Sequence, residues 1–161
     1  MENYSLIVAS IAGCLEAVKR KHADMALIPH FGGEEGLIGL DAKEIGEDRL
    51  MLVASPTQKR PAVLANNKLT GAVMAYTPGT TYGMQIAAML EKHRIHVQEP
   101  PVCESASAEA LLAQVKAGLG SAWIPETLLQ GVKFKRCAAP GFFDIPYKIL
   151  LIKPPRDRSA G

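Results

Sequence analysis

Glu104-Ser105-Ala106-Ser107-Ala108-Glu109-Ala110-Leu111-Leu112-Ala113-Gln114-Val115-Lys116-Ala117-Gly118-Leu119-Gly120-Ser121-Ala122-Trp123-Ile124-Pro125-Glu126 is a strand, a turn, a helix and a second strand in one line. Val102-Cys103-Glu104 reads as the first strand. Ser107 caps the helix, because its hydroxyl can accept from a first-turn amide. Ala108, Leu111, Leu112, Val115 and Leu119 recur at helical spacing and mark the core face. Glu109 in the first turn suits the helix dipole. Gly118 or Gly120 supplies the left-handed stop. Ser121-Ala122-Trp123-Ile124 is the closing strand, ended by Pro125.

The chain on either side repeats this logic. Ala72-Val73-Met74-Ala75-Tyr76 is a strand, Thr77-Pro78-Gly79-Thr80-Thr81 a tight turn, and residues 82–93 a helix with Ile86, Met89, Leu90 and His93 on one side. Nearer the start, Tyr4-Ser5-Leu6-Ile7-Val8-Ala9 reads as a strand and Ser10 as the cap of a helix to about Lys21, with Ile11, Cys14, Leu15 and Val18 on one face. Met25-Ala26-Leu27-Ile28, ended by Pro29, has the continuous apolar run of a buried parallel strand. Together these form a βαβ unit. A Gly-rich loop covers residues 31–39, residues 49–54 form a further strand, and a polar stretch with Pro61 follows. Tyr147-Lys148-Ile149-Leu150-Leu151-Ile152 is the last strand, and Pro154-Pro155 leads into a polar tail expected to fray.

With 48% hydrophobic and 21% charged residues, the chain has the balance of a soluble globular protein rather than a disordered one. Only 6% of residues are aromatic, so the core is aliphatic. The net charge of +2 is spread along the chain. Lys19-Arg20-Lys21 and the cluster at residues 133–136 read as solvated faces, not as a nucleic-acid surface. Cys14, Cys103 and Cys137 form no CxxC pair, which points to a reducing compartment. Residues 6–12 are apolar but too short to span a membrane, and no basic segment precedes them. The expected location is the cytoplasm, without membrane association.

No GxSxG elbow, P-loop or HExxH motif occurs, and Gly32-Gly33 with Gly36 is too irregular for a dinucleotide fingerprint. His93 and His96 are spaced like ligands, but they stand at a helix end with no further ligand nearby, so no metal and no cofactor is expected. His30 either lines a pocket or sits in a loop. The informative feature is the pair of strand-to-helix turns, Thr77 to Thr81 and Glu104 to Ser107. In a parallel α/β sheet both lie at the carboxyl ends of strands, where ligands bind. Each presents backbone N–H groups, a positive dipole end and short hydroxyl side chains, which suit a carboxylate or other small anion. The same hydroxyls equally well cap their own helices.

The segment 104–126 closely resembles the second-lobe signature of LysR-type transcriptional regulators: strand, Ser-rich turn, helix ending V-x-x-G-x-G, strand ending in Pro. Supporting pieces are Lys21-His22-Ala23-Asp24-Met25-Ala26-Leu27, like the G-x-x-D-x-A-L entry to a first-lobe strand, residues 47–54, Tyr76 to Thr81, and Pro146-Tyr147. The resemblance covers about positions 4–155. It implies an α/β, two-lobed type 2 periplasmic-binding-protein-like fold with parallel-rich sheets and a hinge. The first lobe is residues 1–57 (part), the second 58–143, and 144–161 the return strand and tail. It also implies a small-molecule effector in an inter-lobe cleft. Pocket candidates by matching position are Thr77, Gly79, Thr80, Thr81, Ser105 and Ser107, with Pro29 and His30 from the first lobe. Ser121 faces either the cleft or the sheet.

Expected partners are a small carboxylate-like anion, a homo-dimer or tetramer through this domain, and DNA only through a helix-turn-helix domain that this chain lacks. The family's first strand and helix are not found before Tyr4, nor the last first-lobe helix after Pro155. The first lobe is therefore expected to be incomplete, with exposed apolar surface that favours dimerisation. Trp123-Ile124-Pro125-Glu126 and Tyr76 also resemble a subgroup that responds to hypochlorite through methionine oxidation, but Met25, Met51, Met74, Met84 and Met89 all fit core positions, so packing explains them better. An enzyme on this fold would need a placed acid or base. Asp24 begins its strand, at the wrong end of the sheet, and Glu104 stands alone. A solute-binding protein of the cell envelope is the other relative, and the unpaired cysteines speak against it.

Overall fold

The computed structural model describes residues 3–33, 36–137 and 140–155. The elements, in chain order, are α1 (Ile11–Lys19), β1 (Ala26–His30), β2 (Asp41–Ala54), β3 (Val63–Ala65), β4 (Lys68–Thr70), β5 (Ala75–Tyr76), α2 (Thr81–Lys92), β6 (His96–Val97), β7 (Glu104–Ser105), α3 (Ala108–Lys116), β8 (Ala122–Pro125), β9 (Lys135–Arg136) and β10 (Ile145–Lys153). Short 3-10 turns occupy Glu126–Leu129 and Gly141–Phe143. Two compact units divide the chain, one of Met1–Glu47 with Tyr147–Gly161 and one of Asp48–Pro146. The tail beyond residue 155 lies outside the described residues.

In the first unit, α1 begins where Ser10 accepts from the Gly13 amide at 3.1 Å. Its Leu15 and Val18 pack with Ile28 of β1 and with Leu150 and Ile152 of β10 in a small core, against which Ile11 and Cys14 also pack. Each fully buried aliphatic side chain there contributes about 1.5–3 kcal/mol. β1 runs antiparallel to β10, Ala26 opposite Ile152 and His30 opposite Lys148. β10 neighbours β2. The expected strand at residues 4–9 does not form. A strand exists through ladder bonds to a neighbour, and these residues find none: Tyr4, Leu6, Ile7 and Val8 are 77–92% exposed. The expected parallel βαβ pairing is therefore absent, and β1 extends through Pro29 and His30 instead of ending before them.

In the second unit, β2 pairs antiparallel with β8, Leu50 opposite Pro125 and Val53 opposite Ala122, and its end pairs with β9. Leu50, Val53, Leu69, Leu111, Ile124 and Phe143 are buried at its core. β3 and β4 form an antiparallel hairpin. Its turn residues Asn66 and Asn67 have φ of 51° and 59°, the left-handed pair that matches strand twist in a two-residue hairpin. β4 pairs parallel with β6 and β5 parallel with β7, and Val73 bridges Ser121 in parallel. The expectation of parallel-rich sheets therefore does not hold among the described residues. β10 runs against β1, β8 and β9 run against β2, and the Asn66-Asn67 hairpin adds another antiparallel pair.

Candidate functional site

The second unit brings its two strand-to-helix turns together. β5 and β7 are parallel neighbours, Ala75 opposite Glu104 and Tyr76 opposite Ser105. Just past the strand, the Thr77 amide donates to the Ser105 carbonyl at 3.0 Å. Because both strands point the same way, the turns Thr77 to Thr80 and Ser105 to Ser107 leave the same end of the same sheet, and the N-termini of α2 and α3 start there.

Each turn is built by its own hydroxyls. Thr80 caps α2: its Oγ1 accepts from the Gly83 amide at 3.2 Å and donates to the Thr77 carbonyl at 2.8 Å. A Cβ on Gly83 would stand 2.8 Å from that oxygen, so glycine is the residue that lets the capped turn close. Gly79 sits at φ +88° with open space where a Cβ would be. Ser107 caps α3: its Oγ accepts from the Ala110 amide at 3.1 Å and donates to Glu109 Oε2 at 3.2 Å. Ser105 Oγ accepts from the Ser107 amide at 3.1 Å. The capping role of these side chains is thus observed. The first amides of each helix have no carbonyl four residues back to serve them, which leaves the dipole end open to a ligand. Thr77 and Gly79 are exposed, and Thr80, Thr81, Ser105 and Ser107 are half-buried.

Behind the turns lies Tyr76, a residue that the turn pattern alone does not select. It is buried, donates its hydroxyl to the Trp123 carbonyl at 2.7 Å, and meets Tyr82 edge-on at 5.4 Å between ring centroids. Burial, with the nearby Tyr82 and Glu109 charges, pushes its phenol well above the ordinary range. It is therefore a fixed neutral donor. Trp123 in turn donates from Nε1 to the Phe143 carbonyl at 2.9 Å. The available signal was a tyrosine directly before a turn, since a buried phenol seeks a polar partner. Tyr76, Pro78, Gly79, Met84, Glu104 and Trp123 help line a cavity of about 430 Å³ beside the turn.

The remaining candidates are Pro29, His30 and Ser121. Pro29 and His30 belong to β1 of the first unit, and His30 Nε2 lies 2.6 Å from the Gly33 carbonyl. Ser121 faces the sheet. It is fully buried, its Oγ accepts from the Ala62 amide at 2.9 Å, and Cys137 Sγ lies 3.6 Å from it. Burial also pushes the Cys137 thiol up, which keeps it protonated near neutral pH. Ser121→Ala leaves the buried Ala62 amide without a partner and is expected to cost about 1–3 kcal/mol of stability. A urea unfolding series checks this, and a change below about 0.5 kcal/mol would refute the role.

Two further expectations are corrected. Met25 and Met84 are 53% and 59% exposed, not core residues, because Met25 precedes β1 and Met84 lies on the open side of α2. His93, the C-cap of α2, is half-buried and stacks its ring on Phe142 at 3.7 Å between centroids.

The sequence pattern of the LysR substrate binding domain matches residues 3–160. No curated protein sequence matches the chain. Among solved structures, the apo-form regulatory domain of HypT from Salmonella typhimurium is similar at a TM-score of 0.75 and 15% identity, over 96% of this chain and 75% of that one. The regulatory domain of CcmR from Synechocystis PCC6803, in complex with 2-PG, is similar at 0.72 and 15% identity, over 96% and 74%. Full-length LysG from Corynebacterium glutamicum, with bound effector Arg, is similar at 0.63 and 19% identity, over 97% of this chain and 53% of LysG. The chain thus spans about half of that full-length regulator.

Proposed function

We propose, from the premise that this chain belongs to the LysR substrate binding domain family and is a transcription-regulator domain rather than an enzyme, that it senses a small carboxylate-bearing effector at the paired turns of its second unit. The observation that carries the reading is the parallel pairing of β5 with β7, which sets two helix N-termini side by side. Their dipole ends and first-turn amides favour an anion. Thr77, Gly79, Thr80, Thr81, Ser105 and Ser107 are the proposed contacts. Ser121 is left out, because its hydroxyl is already committed to the Ala62 amide. Pro29 and His30, on β1 of the first unit, are further proposed effector contacts. Glu104 borders the cavity beside the turns, so a ligand that joins a carboxylate to a hydrogen-bond donor satisfies both.

In this reading the bound effector biases the geometry of a homo-oligomer, and with it transcription, through a DNA-binding domain elsewhere in the regulator. The bias is no larger than the ligand's preference for one arrangement over the other. The cytoplasm is the proposed location. Among the described residues no helix is long and apolar enough to cross a membrane.

The test is isothermal titration of the folded chain with a panel of small carboxylates, including amino acids and phosphorylated acids. The 2-PG of CcmR and the Arg of LysG set the size of ligand to begin with. At least one member is expected to bind saturably, and at a hundred times its dissociation constant to stabilise the chain by about 2.7 kcal/mol. A folded chain that takes none of the panel, by heat or by melting temperature, refutes the anion reading.

A further inference from the structure

The cavity beside the paired turns belongs wholly to the second unit and continues along α2. Gly83, Ala87 and Leu90 stand at i, i+4 and i+7, on one face of that helix, and all three line the cavity. They span about 10 Å of helix axis. Two of the three carry little or no side chain, and that missing volume helps to leave the space open. Gly83 is held to glycine by the Thr80 cap, because a Cβ there would stand 2.8 Å from the Thr80 Oγ1. Met84 and Val97, which also line the cavity, are 59% and 45% exposed. Protein interiors are close-packed, so an apolar hollow of about 430 Å³ that keeps such side chains in water has the form of a ligand pocket.

Among the described residues, the charged groups that border the cavity are two acids, Glu99 and Glu104. Glu99 is bound to Arg60. Glu104 stands on β7 opposite Ala75 and has no ion pair among the described residues. A carboxylate so placed attracts a cation and repels a second anion. We propose that the effector is an α-amino acid with a bulky apolar side chain. This rests on the anion reading above: the ligand's carboxylate meets the turn from Thr77 to Thr81, its ammonium group meets Glu104, and its side chain lies along Gly83, Ala87 and Leu90. Pro78 and Gly79 belong both to the turn and to the cavity wall, so one small molecule reaches all three partners. An aliphatic acid without an amine would leave Glu104 beside the ligand with nothing to pair. A small amino acid would leave the apolar wall wet.

Isothermal titration of the chain with L-leucine, L-phenylalanine, L-alanine, 4-methylpentanoate and 3-methylbutylamine tests this. L-Leucine or L-phenylalanine is expected to bind about tenfold or more tightly than L-alanine, since each buried methylene is worth about fourfold. 4-Methylpentanoate, which is leucine without its amine, is expected to bind about tenfold more weakly than L-leucine. 3-Methylbutylamine, which lacks the carboxylate, is expected not to bind. If L-alanine binds as tightly as both apolar amino acids, the side-chain pocket is overturned and the anion reading stands. Equal binding of 4-methylpentanoate and L-leucine overturns the amino-acid assignment in the same way. Leucine-like binding of 3-methylbutylamine brings down the anion reading as well. Silence of every probe overturns the proposal, and the anion reading then survives only if another carboxylate binds. Two variants test the placement. Ala87→Phe fills the cavity from an exposed position of α2 and is expected to abolish the preference for L-leucine over L-alanine, with an unchanged far-UV circular dichroism spectrum. Glu104→Gln, also at an exposed position, is expected to bring L-leucine down to the affinity of 4-methylpentanoate. Full L-leucine affinity in either folded variant overturns the proposal.

Discussion

Gly71→Ala is expected to lower the melting temperature by about 10 °C. Gly71 follows β4 at φ +100°, a conformation that residues with a side chain rarely adopt, and a Cβ there would lie 2.5 Å from the Pro61 carbonyl oxygen and 2.9 Å from its carbon. Both atoms belong to backbone, and the next residue is tied to the same segment by the Ala72 amide donating to the Arg60 carbonyl at 3.0 Å. Neither side can yield without breaking that bond. Dihedral strain of about 1–3 kcal/mol and the displaced loop together make a loss of about 3 kcal/mol or more. At about 2–4 °C per kcal/mol for a chain of this size, calorimetry resolves the effect easily. A shift under about 2 °C would show that the loop at Pro61 is looser than this contact implies.

Ala106→Asp is expected to separate ligand affinity from stability. Ala106 is exposed and directly precedes Ser107, the N-cap of α3. A carboxylate there faces the positive end of the helix dipole and stabilises the fold by about 0.3–1 kcal/mol. The same carboxylate stands where the proposed effector anion would sit. Repulsion between like charges a few ångströms apart near a protein surface is on the order of a few kcal/mol, enough to weaken binding by about tenfold or more. The expected pair of results is an equal or higher melting temperature and a lost carboxylate isotherm. Retained affinity in a stable variant would place the anion elsewhere.

The helices were legible because their signals are local. Ser10, Thr80 and Ser107 each cap the helix they announce, and of the two candidate stops after α3 it is Gly118 that takes the left-handed φ, +76°. The strands were legible only where a neighbour supplies the ladder. Residues 4–9 have strand chemistry and no partner. Residues 41–48 are mostly charged and exposed and still form the first part of β2, beside β10, with Lys148 bound to Glu44 at 3.2 Å and to Glu47. The β3–β4 hairpin was readable from Asn66-Asn67 and was passed over as a polar stretch. At the site, the two turns were legible as capped helix starts. Their adjacency was not, because it depends on Tyr76 pairing with Ser105 across 28 intervening positions.

Trp123 has a consequence of an optical kind. It is the chain's one indole, 3% exposed, and it is held at both ends: its ring nitrogen by the Phe143 carbonyl and its own carbonyl by the Tyr76 hydroxyl. That hydroxyl belongs to the residue from which the Thr77 turn springs. The protein therefore carries a single tryptophan tied through Tyr76 to the floor of its proposed binding turn, and the colour of its emission is expected to report on that floor without any attached dye.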